Sequence, residues 1–233
     1  MENSKKRKNI VGIASIPNRV EGLKDTIKCL SPQVDHIYVW LNGYEKVPKV
    51  EETNVTFHLS FTNDGAIAKL KLLESIKEDN FYYFTCDDDI LYPSNYIEHN
   101  LSVYEPGSIQ SSHAKIFNSF PITDYAYGDT SGFYFGNEIQ NKVPVHIVGT
   151  GVGLMDSDVA KQINYKEFST SNMLDVWISC WAKQTSTPMY VTPHPGGWLL
   201  PNNIVNQENS IWSQVIKSDQ DQIRLINHYF TKT

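Results

Sequence analysis

Three consecutive carboxylates, Asp87, Asp88 and Asp89, follow directly on Phe81-Tyr82-Tyr83-Phe84-Thr85-Cys86 and run into Ile90-Leu91-Tyr92-Pro93. The aromatic, β-prone run reads as a buried strand. Carboxylates crowded at its end repel one another unless a cation or hydrogen-bond donors neutralise them. A hard divalent cation answers that need, because Mg²⁺ and Mn²⁺ take carboxylate oxygen and commonly keep substrate phosphates as further ligands. The plain alternative is a solvated turn that caps a helix. Position favours a ligand, since in open α/β sheets ligands collect at the carboxyl ends of the strands, where these side chains fall.

Other residues carry chemical potential of their own. Asp175 lies between Leu174 and Val176 in a helical stretch with Trp177 and Trp181, an odd setting for a surface charge. It reads either as a general base or as a first-turn carboxylate favoured by the helix dipole. His194 stands between Pro193 and Pro195 in a glycine-rich loop; neutral imidazole ligates Mn²⁺, though a lone histidine is more often structural. Trp177, Trp181 and Trp198 offer aromatic faces on which a ligand could stack, with core packing as their default role. Gly149-Thr150-Gly151-Val152-Gly153 lacks the strand, turn and helix context of a dinucleotide fingerprint.

The elements that must position these residues follow an α/β grammar. Residues 9–17 read as a buried strand stopped by Pro17, and Val20, Leu23, Ile27 and Leu30 then recur at helical spacing up to Ser31-Pro32. Strands are expected at 35–41 and 55–61, then a helix carrying Ile67, Leu70, Leu73 and Ile76 on one face, then the strand that ends at the carboxylates. Strand, helix, strand, strand, helix, strand is the signature of a parallel sheet flanked by helices. Ser94 is positioned to cap a helix bearing Ile97, Leu101 and Tyr104. Beyond Pro106-Gly107 the pattern loosens: 109–117 and 143–155 look like strands, and 121–141 like a lid or acceptor-facing loop. A helix is expected at 172–183, a short strand at 188–192, and one or two closing helices within 210–230.

The chain has 233 residues, 40% of them hydrophobic and 20% charged, with a formal net charge of −6. Such a chain builds one sizeable core, and it is not disordered. One domain over 1–233 is expected. The acidic balance argues against a nucleic-acid partner, because the one basic run is Lys5, Lys6, Arg7 and Lys8. That run reads as a frayed tail, capable at most of peripheral contact with an anionic membrane surface. No apolar stretch has the length of a membrane span, and no signal-peptide pattern is seen, so a cytoplasmic location is expected. Cys29, Cys86 and Cys180 are too scattered for a zinc knuckle or a disulfide framework.

Four motifs together carry a resemblance: Ser15-Ile16-Pro17-Asn18-Arg19 after the first strand, Asp64-Gly65-Ala66-Ile67-Ala68-Lys69 after the third, Asp87-Asp88-Asp89 after the fourth, and Leu174-Asp175-Val176-Trp177 on a late helix. In this order, over roughly residues 9–200, the sequence resembles nucleotide-diphospho-sugar transferases of the glycosyltransferase-A fold, nearest in character to family 2-like bacterial enzymes. The resemblance implies a mixed, mainly parallel α/β sheet with a nucleotide-binding half over 9–107 and an acceptor-binding half over 108–233. It implies a UDP-sugar donor, a glycan acceptor and Mn²⁺ or Mg²⁺. Asp89 and Asp87 would bind the metal, Asp87 also facing the ribose, with Asp88 assisting and His194 completing the shell. Ser15, Ile16, Pro17 and Arg19 would cradle the uracil and ribose, Asp64 would bond the base, and Lys69 would lie near the diphosphate. Asp175 would be the base of an inverting transfer of a hexose or N-acetylhexosamine, as in bacterial surface polysaccharide synthesis. Asp175 matches the second residue of the pattern's acidic pair, and Leu174 departs from it by standing where the first acidic residue would be.

Rival readings are separable on sequence. A sugar-nucleotide-forming nucleotidyltransferase would carry a glycine-rich, Arg-containing loop after the first strand, and Ser15 to Arg19 is no such loop. A haloacid-dehalogenase-like phosphatase would open on its Asp-x-Asp, which here ends the fourth strand. The remaining alternative is a nucleotide-sugar-binding protein without transfer activity, or a subunit that needs a partner.

Overall fold

A computed structural model of the chain describes residues 6–204 and 218–231. Strand β1 (Lys8–Ser15) buries Ile10, Val11 and Ile13 in succession, as a strand covered on both faces must. Helix α1 (Val20–Leu30) buries Leu23, Ile27 and Leu30, the apolar stripe expected of it. Strands β2 (His36–Asn42) and β3 (Val55–Ser60) follow. The helix expected over Ile67 to Ile76 is cut short: α2 (Ala68–Lys71) tightens into a 3-10 turn at Leu72–Ser75, and Ile76 is already extended. Next come β4 (Phe81–Cys86), the two-residue β5 (Ile90–Leu91) and α3 (Tyr96–Ser102). Ser94 does not cap α3. The cap position is Asn95, whose side-chain oxygen is taken instead by the Trp198 indole N–H at 2.9 Å.

The second half is built of shorter pieces. The strand expected at 109–117 breaks into β6 (Ile109–Ser111) and β7 (Ala114–Phe117). Within 121–141 there is one short strand, β8 (Thr130–Phe133). The run expected at 143–155 becomes β9 (Val143–Pro144), β10 (Ile147–Val148) and β11 (Val152–Asp156). Then come α4 (Ser157–Ala160), α5 (Leu174–Gln184), β12 (Met189–Val191), β13 (Leu200–Pro201) and α6 (Gln220–Phe230). Of the closing helices expected within 210–230, α6 is observed, and 210–217 lies outside the described residues.

These strands form an eight-stranded sheet of order β3-β2-β1-β4-β11-β6-β12-β9. β3, β2, β1 and β4 run parallel, while β11 is antiparallel to both β4 and β6. The reversal has a functional consequence. Val152 pairs with Cys86, so the loop entering β11 lies beside the loop leaving β4, at the carboxyl edge of the parallel strands. Side chains alternate across the sheet: Ile10, Tyr83 and Met155 pack on one face with Leu174 and Ile178, and Val11, Phe84 and Leu154 on the other with Leu23 and Ile27. Each cluster draws on residues from both halves of the chain. Among the described residues no helix is long and apolar enough to cross a membrane.

The described part of the basic start is pinned down, contrary to the expected frayed tail. Arg7 pairs with Asp156 and Asp158, each at 3.2 Å, and Lys8 with Asp35 at 2.6 Å. Asp156 is buried and accepts the N–H groups of Gly107, Asp158 and Val159 at 3.0 to 3.1 Å. Burial alone would raise its pKa, but the Gly107 and Val159 amides and Arg7 together hold it below the ordinary carboxylate value. Its stabilising effect is therefore present above the unfolded pKa and lost as pH falls through the folded one. Asp156→Ala should cost on the order of 2–3 kcal/mol in urea unfolding at pH 7, through the lost cap and the stranded donors. That deficit should shrink as the titration is repeated toward pH 3.

Candidate functional site

The register of β1 and β4 brings the loops that leave them to one edge, and the three carboxylates divide there by exposure. Asp88 is buried, while the side chains of Asp87 and Asp89 are 41% and 17% exposed. Arg19, in a 3-10 turn (Pro17–Arg19) that proline opens, places one guanidinium nitrogen 3.1 Å from both Asp88 and Asp89. Burial pushes the Asp88 carboxyl up to about 6, against the downward pull of Arg19. Asp88 thus ties Arg19 to the interior, and its two neighbours keep partial contact with solvent.

Asp87 is neutralised from behind. The Lys69 side chain comes from α2, is only 3% exposed, and ends on Asp87 and on the Thr150 carbonyl, the latter at 2.9 Å. Burial opposes its charge, yet Asp87 keeps its pKa above the ordinary lysine value. The Thr150 amide and hydroxyl in turn donate to Oδ1 of Asp175, at 2.8 and 2.6 Å. Asp175 lies in the first turn of α5. The structure therefore joins Lys69, Asp87 and Asp175 through one residue between two glycines. Gly151 has a steric reason: a Cβ there would run into the Asp87 carboxylate. Tyr92 braces the same corner, its hydroxyl donating to the Gly151 carbonyl at 2.5 Å and accepting the Asp87 amide at 2.9 Å.

Around this centre the remaining expected residues fall as follows. Ser15 lies 2.9 Å from the Tyr44 hydroxyl, which donates to the Ile16 carbonyl at 2.9 Å and so fixes the turn that Pro17 begins. Asp64 receives the Trp40 indole N–H at 3.0 Å and the Ser60 hydroxyl at 3.2 Å on one oxygen, and Lys71 at 3.1 Å on the other. Both its oxygens are thus engaged within the chain. Gly65 beside it has φ +67 and would meet the Ser171 carbonyl if it carried a Cβ, so only glycine suits the turn into α2. His194 is buried, with Nδ1 3.1 Å from the Pro195 carbonyl and Nε2 3.4 Å from that of Ser112. It stacks on Trp198, which also packs against Tyr96 and His99. Trp177 stacks on Phe168 and donates to Thr170 at 2.8 Å.

The carboxylates suit a hard cation through their oxygens. Among the described residues no three His, Cys, Asp or Glu side chains are grouped as a protein-only metal site requires, and His194 is not gathered with the aspartates. Asp87 and Asp89 remain as the accessible donors. That set fits Mg²⁺ or Mn²⁺, which bind through one or two carboxylates when phosphate oxygens and water fill the other positions. Sequence reading missed Thr150, Tyr92 and Tyr44, and also His113, whose neutral form burial favours beside Asp175 and whose ring abuts Tyr134 and Phe135. A glycine-flanked threonine was the one available signal among them.

No family model matches the chain, and a comparison with curated proteins finds no match. Solved structures do resemble it. A crystal structure of GalNAc-T7 with UDP, GalNAc and Mn²⁺ superposes with a TM-score of 0.61 at 7% identity, over 82% of this chain and 43% of that one. The inositol-1-phosphate CTP transferase from T. maritima gives a TM-score of 0.51 at 10% identity, over 95% of this chain and 97% of that one. The chain spans less than half the length of the GalNAc-T7 structure. At these identities the likeness establishes the fold alone, a glycosyltransferase-A-like mixed α/β architecture.

The Lys69 and Asp87 pair is asymmetric, since the ammonium is buried and the carboxylate is partly open. Asp87→Ala strands a buried charge and should cost about 3 kcal/mol. Lys69→Met leaves a carboxylate that water can solvate and should cost clearly less. Denaturant titrations of both single variants and the double check this, with the double expected to recover part of the Asp87→Ala loss.

Proposed function

We propose that the protein is a metal-dependent, inverting glycosyltransferase that moves a hexose or N-acetylhexosamine from a UDP-sugar to a glycan hydroxyl, in bacterial surface polysaccharide synthesis. The observation that carries this reading is a further carboxylate, Asp175, tied through Thr150 and Lys69 to Asp87. Oδ1 of Asp175 is occupied by Thr150, and no hydrogen bond to Oδ2 is found among the described residues. A carboxylate with one oxygen open suits removal of a proton from a hydroxyl.

In this reading Oδ2 of Asp175 takes the acceptor's proton as the acceptor oxygen bonds to the anomeric carbon. The bond from that carbon to the diphosphate breaks on the opposite face, and its electron pair leaves with UDP. A metal bound by Asp89 and Asp87 supplies Lewis-acid stabilisation of the departing diphosphate. Arg19 adds positive charge at the same edge, and Asp88 holds Arg19 in place. Ser15, Ile16 and Pro17 line the uracil and ribose, Asp64 fixes the facing loop, and Lys69 sets the charge and direction of Asp87. The GalNAc-T7 neighbour, determined with UDP, GalNAc and Mn²⁺, supports the donor class.

The T. maritima neighbour raises a second reading, nucleotidyl transfer onto a sugar phosphate. Such an acceptor is already anionic near neutral pH and needs no base, while carboxylates at its entry repel it. Asp175 and the absence of a glycine-rich loop between Ser15 and Arg19 favour a hydroxyl acceptor. A nucleotide-sugar binder without turnover is separated by assay.

UDP titrated into the protein by calorimetry should bind tightly with Mn²⁺ and weakly with chelator, and Asp89→Ala should remove the difference. Asp175→Asn should retain UDP binding and lose about a hundredfold or more in turnover of a UDP-sugar. Full turnover by Asp175→Asn rules out its role as base; binding indifferent to metal and to Asp89 removes the donor site.

A further inference from the structure

Every polar group of Thr150 is committed. Its amide and its hydroxyl converge on one oxygen of Asp175, at 2.8 and 2.6 Å, and its carbonyl accepts from the Lys69 ammonium at 2.9 Å. The residue is 4% exposed, so water does not compete for these bonds. Two donors on the same oxygen fix the plane of the Asp175 carboxylate and decide which oxygen stays open. A second tie holds the helix beneath it. Ser179, one turn on in α5, donates to the Asp175 carbonyl at 2.6 Å and accepts the Val148 amide at 3.1 Å. Carboxylate and helix are thus both stitched to the 148–151 segment, which also carries the Lys69 contact.

We infer that Thr150 is a positioning residue for transfer: it presents Oδ2 of Asp175 to the acceptor hydroxyl and links that carboxylate to the Lys69 and Asp87 pair beneath the diphosphate. The inference rests on the glycosyl-transfer reading above, in which Asp175 is the base. Thr150 touches neither substrate in this arrangement and acts through Asp175 alone. Its hydroxyl matters and its methyl does not. A Cβ at Gly149 would crowd His113 and one at Gly151 would meet the Asp87 carboxylate, so the two glycines let the segment pass close to both.

The test is a double-mutant cycle read by UDP release from UDP-glucose, UDP-galactose and their N-acetylhexosamine counterparts, with UDP binding measured in parallel. Thr150→Val keeps the shape and removes one donor, so kcat should fall about tenfold or more, the loss of a hydrogen bond to a charged group. KM and UDP affinity should stay within about twofold, because the donor site is untouched. Thr150→Ser, which keeps the hydroxyl, should restore kcat. In an Asp175→Asn background Thr150→Val should have no further effect. The inference is overturned if Thr150→Val turns over normally, if Thr150→Ser is as slow as the valine variant, or if the valine slows Asp175→Asn to the same degree. Those outcomes leave the function intact so long as Asp175→Asn is itself slow; normal turnover by Asp175→Asn instead brings down the reading on which the inference rests. A further readout needs no activity. The Thr150 amide proton, donated to a carboxylate, should resonate downfield and move upfield in Asp175→Asn, and an unmoved resonance also overturns the inference.

Discussion

Burial of one ammonium group governs the arrangement of this site. Lys69 has left water almost completely, and a desolvated charge persists only where its partners are close and fixed. Those partners come from different parts of the chain. Asp87 ends the last parallel strand, and Thr150 belongs to the loop that enters the antiparallel one. Satisfying Lys69 therefore fastens the end of β4 to the loop that enters β11, and Thr150 carries the linkage on to α5 through Asp175.

The same demand explains how three adjacent carboxylates coexist. Lys69 answers Asp87, while Arg19 answers both Asp88 and Asp89. Asp87 and Asp89 keep part of their side-chain surface open to solvent at that edge. That is a suitable seat for a divalent ion that arrives with a diphosphate, because the ion and its phosphates together bring little net charge. Asp88 alone is withdrawn into the interior, where burial raises its pKa to about 6 and its work is to hold Arg19.

Much of the first half was legible in the sequence because its order is local. Ile10, Val11 and Ile13, the Leu23, Ile27 and Leu30 stripe, and the aromatic strand before Asp87 each announce an element by period and residue type. The carboxylates were legible as a candidate site from their place at a strand end. What was hidden depends on tertiary pairing. Nothing in residues 152–156 tells that this strand inserts antiparallel beside β4, and without that the contact of Thr150 with Asp175 and Lys69 is invisible. The partners of Asp64, namely Trp40, Ser60 and Lys71, are scattered between residues 40 and 71, so its internal bonding could not be read from its neighbours. The burial of Lys69 and its contact with Asp87 are likewise tertiary and have no signature in the sequence. His194 shows the limit of reading a lone histidine by its neighbours, since its ring nitrogens face backbone carbonyls.

In the proposed transfer Asp87 and Asp89 would hold the metal where it meets the diphosphate, with Asp175 on the opposite side of the sugar. Anomalous diffraction from crystals grown with UDP and Mn²⁺ tests it most directly. A manganese peak within bonding distance of an Asp89 oxygen, bridged to the UDP phosphates and with Lys69 still on Asp87, is the predicted result. A peak elsewhere in the molecule, or UDP seated away from the 87–89 edge, would contradict the account.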